Sequence, residues 1–374
     1  RNRETSRNYK SAQRIFLYWI VYLTLGFIKW FATFGDLTNI HFTKVRQIFI
    51  SQKIDKSAIP LSDDEQYVII VIFISFQMEY LSPHKLNNTA HAGLDILFFN
   101  RVPKVGSQTF MELLRRLSLR NRFHRDHVQR VETIRLAPAD QLQLAAQVSA
   151  YEPPSVYIKH VCFTNFTAYN LPEPIYVNLV RDPVERVISW YYYVRAPWYY
   201  VERKRAFPDL PLPDPDWLKM DFEDCVLSGD RECRYMEGVT HEGIGDHRRQ
   251  TLFFCGHEDE CTPFNTIGAM ERAKRAVEKH YAVVGVLEDL NSTLTVLENY
   301  IPKFFQGASQ VYWILLGSYN FDRINRNAFK PPVSEHVKNL VRKNFTREIE
   351  FYQFCRQRLH KQLLALRLPT LPSS

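Results

Sequence analysis

The sequence has no internal repeat and no low-complexity tract, which argues against a repeat architecture and against a disordered chain. Apolar residues make up 45% of its 374 residues and aromatic residues 14%, enough to build a substantial core. The length suits one large domain with an appendage, or two small domains. Acidic residues are outnumbered, since 40 Asp and Glu stand against 48 Lys and Arg, a formal net charge of +8. This excess favours an anionic partner: nucleic acid, anionic lipid or a polyanionic glycan.

Only six cysteines are present, and none shows zinc-type spacing. Four of them form two clusters: Cys225 with Cys233, and Cys255 with Cys261. Zinc ligands usually come in close pairs with gaps of about two to four residues, and these gaps are longer. We therefore expect one local disulfide within each cluster, in preference to a zinc site, with Cys162 and Cys355 reduced. Such bridges need an oxidising compartment.

Four N-x-S/T sequons point to the same compartment. Their acceptor residues are Asn87, Asn165, Asn291 and Asn344. Sequons arise often by chance, so they support the secretory assignment without establishing it.

Long apolar runs are confined to the N-terminal part of the chain. The first run, residues 15–31, is interrupted only by Lys29 and is long enough for a short membrane span. Because basic residues precede it, the positive-inside rule keeps residues 1–14 in the cytoplasm and places the rest in the lumen. No small-residue cleavage site follows, which favours a permanent signal anchor at residues 15–34 over a removed signal peptide.

A second apolar run at residues 67–76 is rich in β-branched residues and short for a helical span. If both runs crossed the membrane, the cysteines and sequons would return to the cytosol, which contradicts the disulfide prediction. We expect one span, the first, and interpret the second run as a buried strand or a stem patch. The predicted organisation is a cytoplasmic tail at 1–14, the anchor at 15–34, a stem at 35–92 and a lumenal domain at 93–374.

Short apolar runs alternate with helical periodicity in the predicted domain. The expected strands are Leu94–Phe99, Pro174–Val180 and Tyr281–Val286. The expected helices run through Phe110–Leu117, through Val184–Tyr191 with Asp182 as N-cap and Pro183 at the first position, and through Leu290–Tyr300. This alternation predicts a three-layer α/β domain with a central parallel sheet. Ligands of such sheets gather at the carboxyl ends of the strands.

The first predicted strand leads through a basic turn directly into a helix. A helix N-terminus offers free backbone amides and the positive end of the helix dipole to an anion. Lys104 adds a charge, although the segment lacks the G-x-x-x-x-G-K-[ST] spacing of nucleoside triphosphatases. The residues expected to bind phosphate are Lys104, Val105, Gly106, Ser107, Gln108 and Thr109. An ordinary βα turn with a solvated lysine is the alternative.

A second anion site follows the next strand. Arg181 ends that strand, and Ser189 lies two turns into the following helix. An arginine that pairs bidentately with phosphate, together with a nearby hydroxyl, suits a second phosphate group. Two such sites on neighbouring turns suit a nucleotide that is phosphorylated at both ends, such as 3′-phosphoadenosine 5′-phosphosulfate (PAPS).

Both turns resemble sulfotransferase motifs. Residues 101–107 (RVPKVGS) resemble the 5′-phosphosulfate loop, and residues 178–193 (NLVRDPVERVISWYYY) resemble the 3′-phosphate segment. Further similar blocks lie at 253–261, 284–288 and 302–307. The chain is most similar to the heparan sulfate and uronyl 2-O-sulfotransferases, and among them to the insect Pipe proteins. The resemblance implies a P-loop-like sulfotransferase fold, PAPS as donor, no metal, a Golgi membrane location, a glycan acceptor with no nucleic-acid partner, and a homotrimer.

The resemblance also implies a catalytic base. The family histidine precedes a valine ahead of the 3′-phosphate strand, and His160 matches that place. An imidazole with a pKa near 6 to 7, lowered by Lys159, could accept the proton of an attacking sugar hydroxyl. Lys104 would neutralise charge on the departing phosphate. Heparan enzymes carry another histidine where this chain has Ile158, and the uronyl enzymes resemble the present pattern.

Basic residues beside the cleft are the expected acceptor contacts: Arg101, Arg195, Arg203 and Arg205. A solvated basic loop is the alternative for the last three. His241, His247 and His257 show no metal spacing. The sequence therefore predicts a PAPS-dependent enzyme that sulfates the 2-OH of a uronic acid, in a glycosaminoglycan or a related glycoprotein glycan. The alternatives are an inactive glycan-binding relative and a P-loop nucleotide kinase, the latter leaving Arg181 and Ser189 unexplained.

Overall fold

A computed structural model describes residues 82–125, 134–240, 248–316 and 330–367. The predicted tail, the anchor, both apolar runs and most of the predicted stem lie outside these residues, as do His241 and His247. Among the residues described, no helix combines the length and apolar character that a membrane crossing requires.

A parallel sheet of five strands organises the described domain. The strands are β1 (Ile96–Asn100), β2 (His124–Arg125), β3 (Ser155–Lys159), β4 (Ile175–Val180) and β5 (Tyr281–Val286). Their order is β2-β3-β1-β4-β5, and every pairing is parallel. All residues of β1, β4 and β5 are buried. Because successive side chains point to opposite faces, both faces of the sheet are covered, which confirms the predicted α/β architecture.

Helices cover the sheet and flank its carboxyl edge. In chain order they are α1 (Pro83–Leu86), α2 (Ser107–Asn121), α3 (Pro138–Ser149), α4 (Pro183–Val194), α5 (Pro197–Ala206), α6 (Pro215–Lys219), α7 (Phe222–Leu227), α8 (Thr251–Cys255), α9 (Ile267–His280), α10 (Leu290–Tyr300), α11 (Pro302–Phe305), α12 (Ala308–Leu316), α13 (Glu335–Lys343) and α14 (Thr346–Ala365).

Local signals in the sequence placed several of these elements correctly. Helix α10 and strand β5 have the predicted bounds. Helix α4 begins with Pro183 after the N-cap Asp182, whose Oδ1 accepts hydrogen bonds from the amides of Val184 at 2.9 Å and Glu185 at 3.0 Å. These two bonds satisfy amides that have no partner within the helix, which confirms the predicted cap.

The folded unit begins earlier than the predicted boundary at residue 92. The Asn88 side chain is buried and donates to the carbonyl oxygens of Glu278 at 2.8 Å and Tyr281 at 3.0 Å. Gln362 in turn donates to the carbonyl oxygen of Leu86 at 3.0 Å. Residues 82–92, assigned to the stem, are therefore part of the domain. A polar sequence that reads as a linker is ordered here because the Asn88 amide donates to α9 and β5, and the Leu86 carbonyl oxygen accepts from α14.

Both predicted disulfides are confirmed. Cys225 is bonded to Cys233 and Cys255 to Cys261, each pair with Cα atoms 5.7 Å apart. The remaining thiols, Cys162 and Cys355, are free and fully buried. Burial raises the pKa of the Cys162 thiol to about 12 and that of Cys355 as well, so both are unreactive at neutral pH.

A buried polar cluster connects the central strands. The Asn100 amide donates to the carbonyl oxygen of Phe253 at 2.9 Å, and its Oδ1 accepts from the Tyr281 hydroxyl at 2.9 Å. The Asn178 amide donates to the Asn100 carbonyl oxygen at 2.6 Å. Asn100, Asn178 and Tyr281 are fully buried, so each bond forms away from competing water. The cluster ties β1, β4 and β5 to α8.

Replacing Asn100 by alanine should lower the free energy of unfolding by at least about 2 kcal/mol, because the Phe253 carbonyl and the Tyr281 hydroxyl would be left buried without this partner. Chemical denaturation followed by fluorescence measures this change. Asn299→Ala, which removes an exposed amide bonded to Thr295, is the control and should change stability by less than about 0.5 kcal/mol. Equal, small effects of both substitutions would contradict the proposed importance of the cluster.

Candidate functional site

Three neighbouring strands deliver their ends to one edge of the sheet. β1 leads into Arg101, β3 into His160 and β4 into Arg181. The carbonyl oxygen of Arg101 lies 2.8 Å from His160 Nδ1. The Arg181 guanidinium donates to the carbonyl oxygen of Lys104 at 3.2 Å. The predicted phosphate loop, base and second anion site therefore meet at the carboxyl edge, where ligands of such sheets bind.

The loop between β1 and α2 is fixed by buried side chains and leads directly into the N-terminus of α2. Val102 and Val105 are fully buried and fix the loop to the core. Gly106 adopts φ +80°, and a Cβ there would lie 2.6 Å from the Leu287 side chain, so only glycine fits. Gly106 is also the N-cap of α2 and has no side chain to occupy the first amides.

The predicted phosphate contacts follow Gly106 in the first turn of α2. Ser107 and Thr109 are buried, whereas the Gln108 side chain is exposed. The first amides of a helix have no partner within it and carry the positive end of the dipole. The turn is consequently built to receive an anion through its backbone.

The Lys104 side chain lies over an aromatic ring at the mouth of this loop. Its Nζ is 3.9 Å from the centroid of the Tyr193 ring, a cation–π contact. Burial lowers the pKa of Lys104 to about 7, with further lowering by the nearby charges of Arg181 and Lys330. Lys104, Arg181 and Lys330 thus place several positive charges close together, and the protein's own carboxylates do not neutralise all of them. This arrangement favours an anionic ligand.

The Arg181 guanidinium lies near the Lys104 loop, between two carboxylates. Its guanidinium lies 3.9 Å from Glu185 and 4.0 Å from Glu288, both at the outer limit of an ion pair. Burial lowers the pKa of Arg181, but arginine remains charged. Ser189 lies half-buried on α4, as predicted. These loose ion pairs leave the guanidinium suited to the shorter, bidentate bonds that a phosphate accepts.

His160 is oriented by the backbone of the phosphate loop. Because its Nδ1 lies 2.8 Å from a carbonyl oxygen, Nδ1 carries the proton and Nε2 carries the lone pair. Burial, followed by the charge of Arg101, lowers the pKa of His160 to about 3. The neighbouring charge that lowers this pKa is that of Arg101, whereas that of Lys159 was expected from the sequence. The ring is therefore unprotonated across the neutral range, which a general base requires, while its low pKa makes it a weaker base than an ordinary imidazole.

The Sulfotransferase family model matches residues 89–355. The chain belongs to the sulfotransferase family. It is 47% identical over 286 residues to the Drosophila melanogaster uronyl 2-sulfotransferase homolog pip, covering 75% of this chain and 55% of that relative. It is also 30% identical to heparan sulfate 2-O-sulfotransferase 1 of Xenopus laevis and 29% identical to the human one, each over 266 residues and 69% of both chains. The chain thus spans little more than half the length of the fly relative.

The predicted acceptor arginines differ in their surroundings. Arg101 is buried next to the loop, and its guanidinium donates to the Met111 sulfur. Arg203 and Arg205 lie on α5, in which no residue is buried, with Arg205 exposed and Arg203 4.6 Å from the centroid of the Phe207 ring.

Arg195 has a structural environment instead. Its guanidinium makes two hydrogen bonds to the Glu232 carboxylate, at 2.7 and 3.0 Å, and stacks on Tyr191 and Trp217. A buried bidentate pair of this kind holds the side chain in the protein interior. Arg195 therefore stabilises the fold, and we do not assign it to the acceptor site.

His257 also serves the fold. Its Nδ1 accepts a hydrogen bond from the Leu136 amide at 2.9 Å, and its Nε2 lies 2.9 Å from the Thr164 hydroxyl. This arrangement requires the neutral ring, and burial lowers the pKa of His257 to about 4. Within the described ranges, no group of three or more His, Cys, Asp or Glu side chains is arranged to hold a metal ion.

Two of the predicted glycosylation residues are readily accessible. Asn291 and Asn344 are exposed. Asn165 is half-buried, and its Oδ1 accepts from the Thr167 hydroxyl at 2.7 Å. The Asn87 amide instead donates to the carbonyl oxygen of Tyr300 at 3.1 Å, which engages the nitrogen that a glycan would modify.

Sequence reasoning missed several residues that shape the cleft. The contact between Tyr193 and Lys104 joins two separate segments, and no spacing in the sequence indicates it. Glu185, in the first turn of α4, is paired with Lys338 at 2.8 Å and with Lys330 at 3.3 Å. The hydrogen bond to Lys338 and both positive charges lower its pKa against the effect of burial, so it is a poor proton acceptor.

The amine of Lys104 should titrate near pH 7 in the free protein, since burial and two neighbouring cations disfavour its charged form. Trace acetylation at a series of pH values, read peptide by peptide by mass spectrometry, gives the midpoint. Lys338 is the matched control, because its bond to Glu185 raises its pKa. A Lys104 midpoint at or above the ordinary value of about 10.4 would contradict the described environment.

Proposed function

We propose that this protein is a Golgi sulfotransferase that transfers the sulfo group of PAPS to a glycan hydroxyl, the 2-OH of a uronic acid. The observation that carries the proposal is the meeting of the Lys104 loop, His160 and Arg181 at one edge of the sheet. The printed names of the relatives, uronyl 2-sulfotransferase homolog and heparan sulfate 2-O-sulfotransferase, support the reaction and the sulfated position.

The two anion sites suit the two ends of the donor. The amides of residues 107–109 and the Lys104 ammonium would bind the 5′-phosphosulfate, and Arg181 with Ser189 would bind the 3′-phosphate. In the free protein Lys104 is only partly charged near pH 7. An arriving phosphosulfate favours the ammonium form, because an opposite charge at short range stabilises the protonated amine.

In the proposed transfer of the sulfo group, the orientation of His160 makes Nε2 the proton acceptor. Nε2 accepts the proton of the sugar hydroxyl as the hydroxyl oxygen attacks sulfur from the side opposite the phosphate. The new sulfur–oxygen bond forms while the bond between sulfur and the bridging oxygen breaks. The products are the sulfated sugar and adenosine 3′,5′-bisphosphate, and the Lys104 ammonium stabilises the negative charge on the departing phosphate.

The acceptor side combines positive charge and aromatic rings. Arg101, Arg203 and Arg205 would pair with carboxylate or sulfate groups of a polyanionic glycan. Trp198, about half exposed on α5, packs edge-on against Tyr193 at 4.8 Å between ring centroids. Ile158, in place of the second histidine of heparan enzymes, favours an acceptor of the uronyl type.

The proposed location follows from the sequence and the bridges. The apolar run within residues 15–34 would anchor the chain as a single-pass type II protein, with residues 93–374 in the Golgi lumen. The disulfides Cys225–Cys233 and Cys255–Cys261 require an oxidising compartment of this kind. We extend the proposal to a homotrimer on the resemblance alone.

Adenosine 3′,5′-bisphosphate should bind more tightly than AMP, because only the former has a 3′-phosphate for Arg181. Arg181→Ala should remove at least about tenfold of this preference, the effect of losing one charge-assisted hydrogen bond. Isothermal titration calorimetry on the purified protein measures both affinities. Arg275→Ala, an exposed arginine on α9, is the control. Equal affinities of the wild-type protein for the two nucleotides would contradict the donor assignment.

His160→Ala should lower turnover by about 10²- to 10⁴-fold while leaving nucleotide affinity unchanged, because the phosphates are bound elsewhere. With a His160 pKa of about 3, the wild-type rate should not fall through loss of this base between pH 7 and pH 5. Radiolabel transfer from PAPS measures both quantities, with the exposed His336→Ala as control. A variant that retains more than about a tenth of the wild-type turnover would rule out His160 as the base.

A further inference from the structure

One buried glutamine holds the backbone of Arg181. The Gln250 side chain accepts a hydrogen bond from the Arg181 amide at 3.4 Å and donates one to the Arg181 carbonyl oxygen at 3.1 Å. Gln250 is fully buried. Both backbone polar groups of Arg181 thus have the same side-chain partner, directly after β4 ends. This pairing fixes the point from which the guanidinium enters the cleft.

Gln250 is itself fixed from the other side by a buried carboxylate. Glu348 of α14 accepts hydrogen bonds from the amides of Gln250 at 2.9 Å and Thr251 at 3.3 Å, and also from the Thr251 hydroxyl. Asn265 orients the start of α14 by accepting from the amide of Arg347 at 2.7 Å and from that of Glu348 at 3.3 Å. The segment that presents Gln250 is therefore held by at least three bonds to one side chain.

The same carboxylate lies close to the residue that holds the first phosphate loop. Arg186 is fully buried on α4 and donates to the carbonyl oxygen of Pro103 at 3.3 Å. The Glu348 charge offsets part of the burial that lowers the pKa of Arg186. Glu348 therefore holds the Arg181 turn through Gln250, and its charge favours the ionised form of Arg186, which bonds to the Lys104 loop.

A ligand with two phosphates makes the separation of these turns important. A nucleotide phosphorylated at both ends presents its anions at a distance set by the sugar and the bound conformation. Binding both anions at once is favourable only if the two cationic turns are held at the matching separation, because loose turns must be ordered when the ligand binds.

We propose that Gln250 is a positioning residue for the 3′-phosphate site, which holds Arg181 at the separation from the Lys104 loop that a 3′-phosphorylated nucleotide requires. The inference rests on the proposed PAPS-dependent function and assigns its 3′-phosphate selectivity to a residue that does not touch the nucleotide. A neutral amide such as that of Gln250 binds a phosphate dianion more weakly than a guanidinium does, so we assign the phosphate contact to Arg181 and the positioning role to Gln250.

The test compares adenosine 3′,5′-bisphosphate with AMP by isothermal titration calorimetry on the purified protein. Gln250→Ala should weaken binding of the bisphosphate on the order of tenfold, through misplacement of a charge-assisted contact, and should change AMP affinity by less than about twofold. Gln362→Ala is the matched control, since Gln362 is also fully buried and donates to the Leu86 and Ala282 carbonyl oxygens. It lies outside both anion sites and should leave both affinities unchanged.

The possible outcomes separate the inference from the function on which it rests. If the wild-type protein fails to prefer the bisphosphate, the donor assignment fails and the inference with it. If the wild-type preference is present but Gln250→Ala retains it, or loses affinity for both nucleotides equally, the positioning role alone is overturned. Should Gln250→Ala not fold, the isosteric Gln250→Glu decides, because it cannot donate to the Arg181 carbonyl; its selective loss of bisphosphate affinity supports the role, and unchanged affinity overturns it.

Discussion

The hydrogen bonds of Asn100 and Asn178 are the interaction on which the site depends. They connect β1, β4 and β5 within the core, just before β1 and β4 reach the edge where Arg101 and Arg181 begin. Because parallel strands end at the same edge, fixing their relative positions also fixes the loops that follow them. The chemistry at this edge needs turns from three strands at set separations, so a polar cluster that resists sliding is better suited than apolar packing alone.

At the carboxyl edge of the sheet, the charges of the free site favour the binding of an anion. Lys104 and Arg181 both have lowered pKa values because burial disfavours their charged forms, and the carboxylates nearest Arg181 are too distant for strong bonds. A ligand that brings negative charge relieves both effects. Burial and the Arg101 charge likewise lower the pKa of His160, so its ring is neutral in the free site and Nε2 is unprotonated.

The sequence alone predicted those parts of the structure that are determined by residues close together in the chain. The N-cap Asp182, the bounds of β5 and α10, and both disulfides follow from short patterns. Contacts between distant segments were not predictable in this way. Arg195 read as a free basic residue until its pairing with Glu232 was visible, and the pKa of His160 depends on burial that no motif expresses. Gln250 was missed because its role arises only from the meeting of β4 and α14.

The central claim is sulfo transfer from PAPS to the 2-OH of a uronic acid, and mapping the sulfated position tests it most directly. The purified protein would be incubated with radiolabelled PAPS and a panel of desulfated glycosaminoglycans, followed by disaccharide analysis of the labelled product. The account predicts label on the uronic acid 2-O position of at least one glycan, and about 10²- to 10⁴-fold less label with His160→Ala. Label found only on hexosamine positions, or no transfer to any glycan by a protein that binds adenosine 3′,5′-bisphosphate, would contradict it.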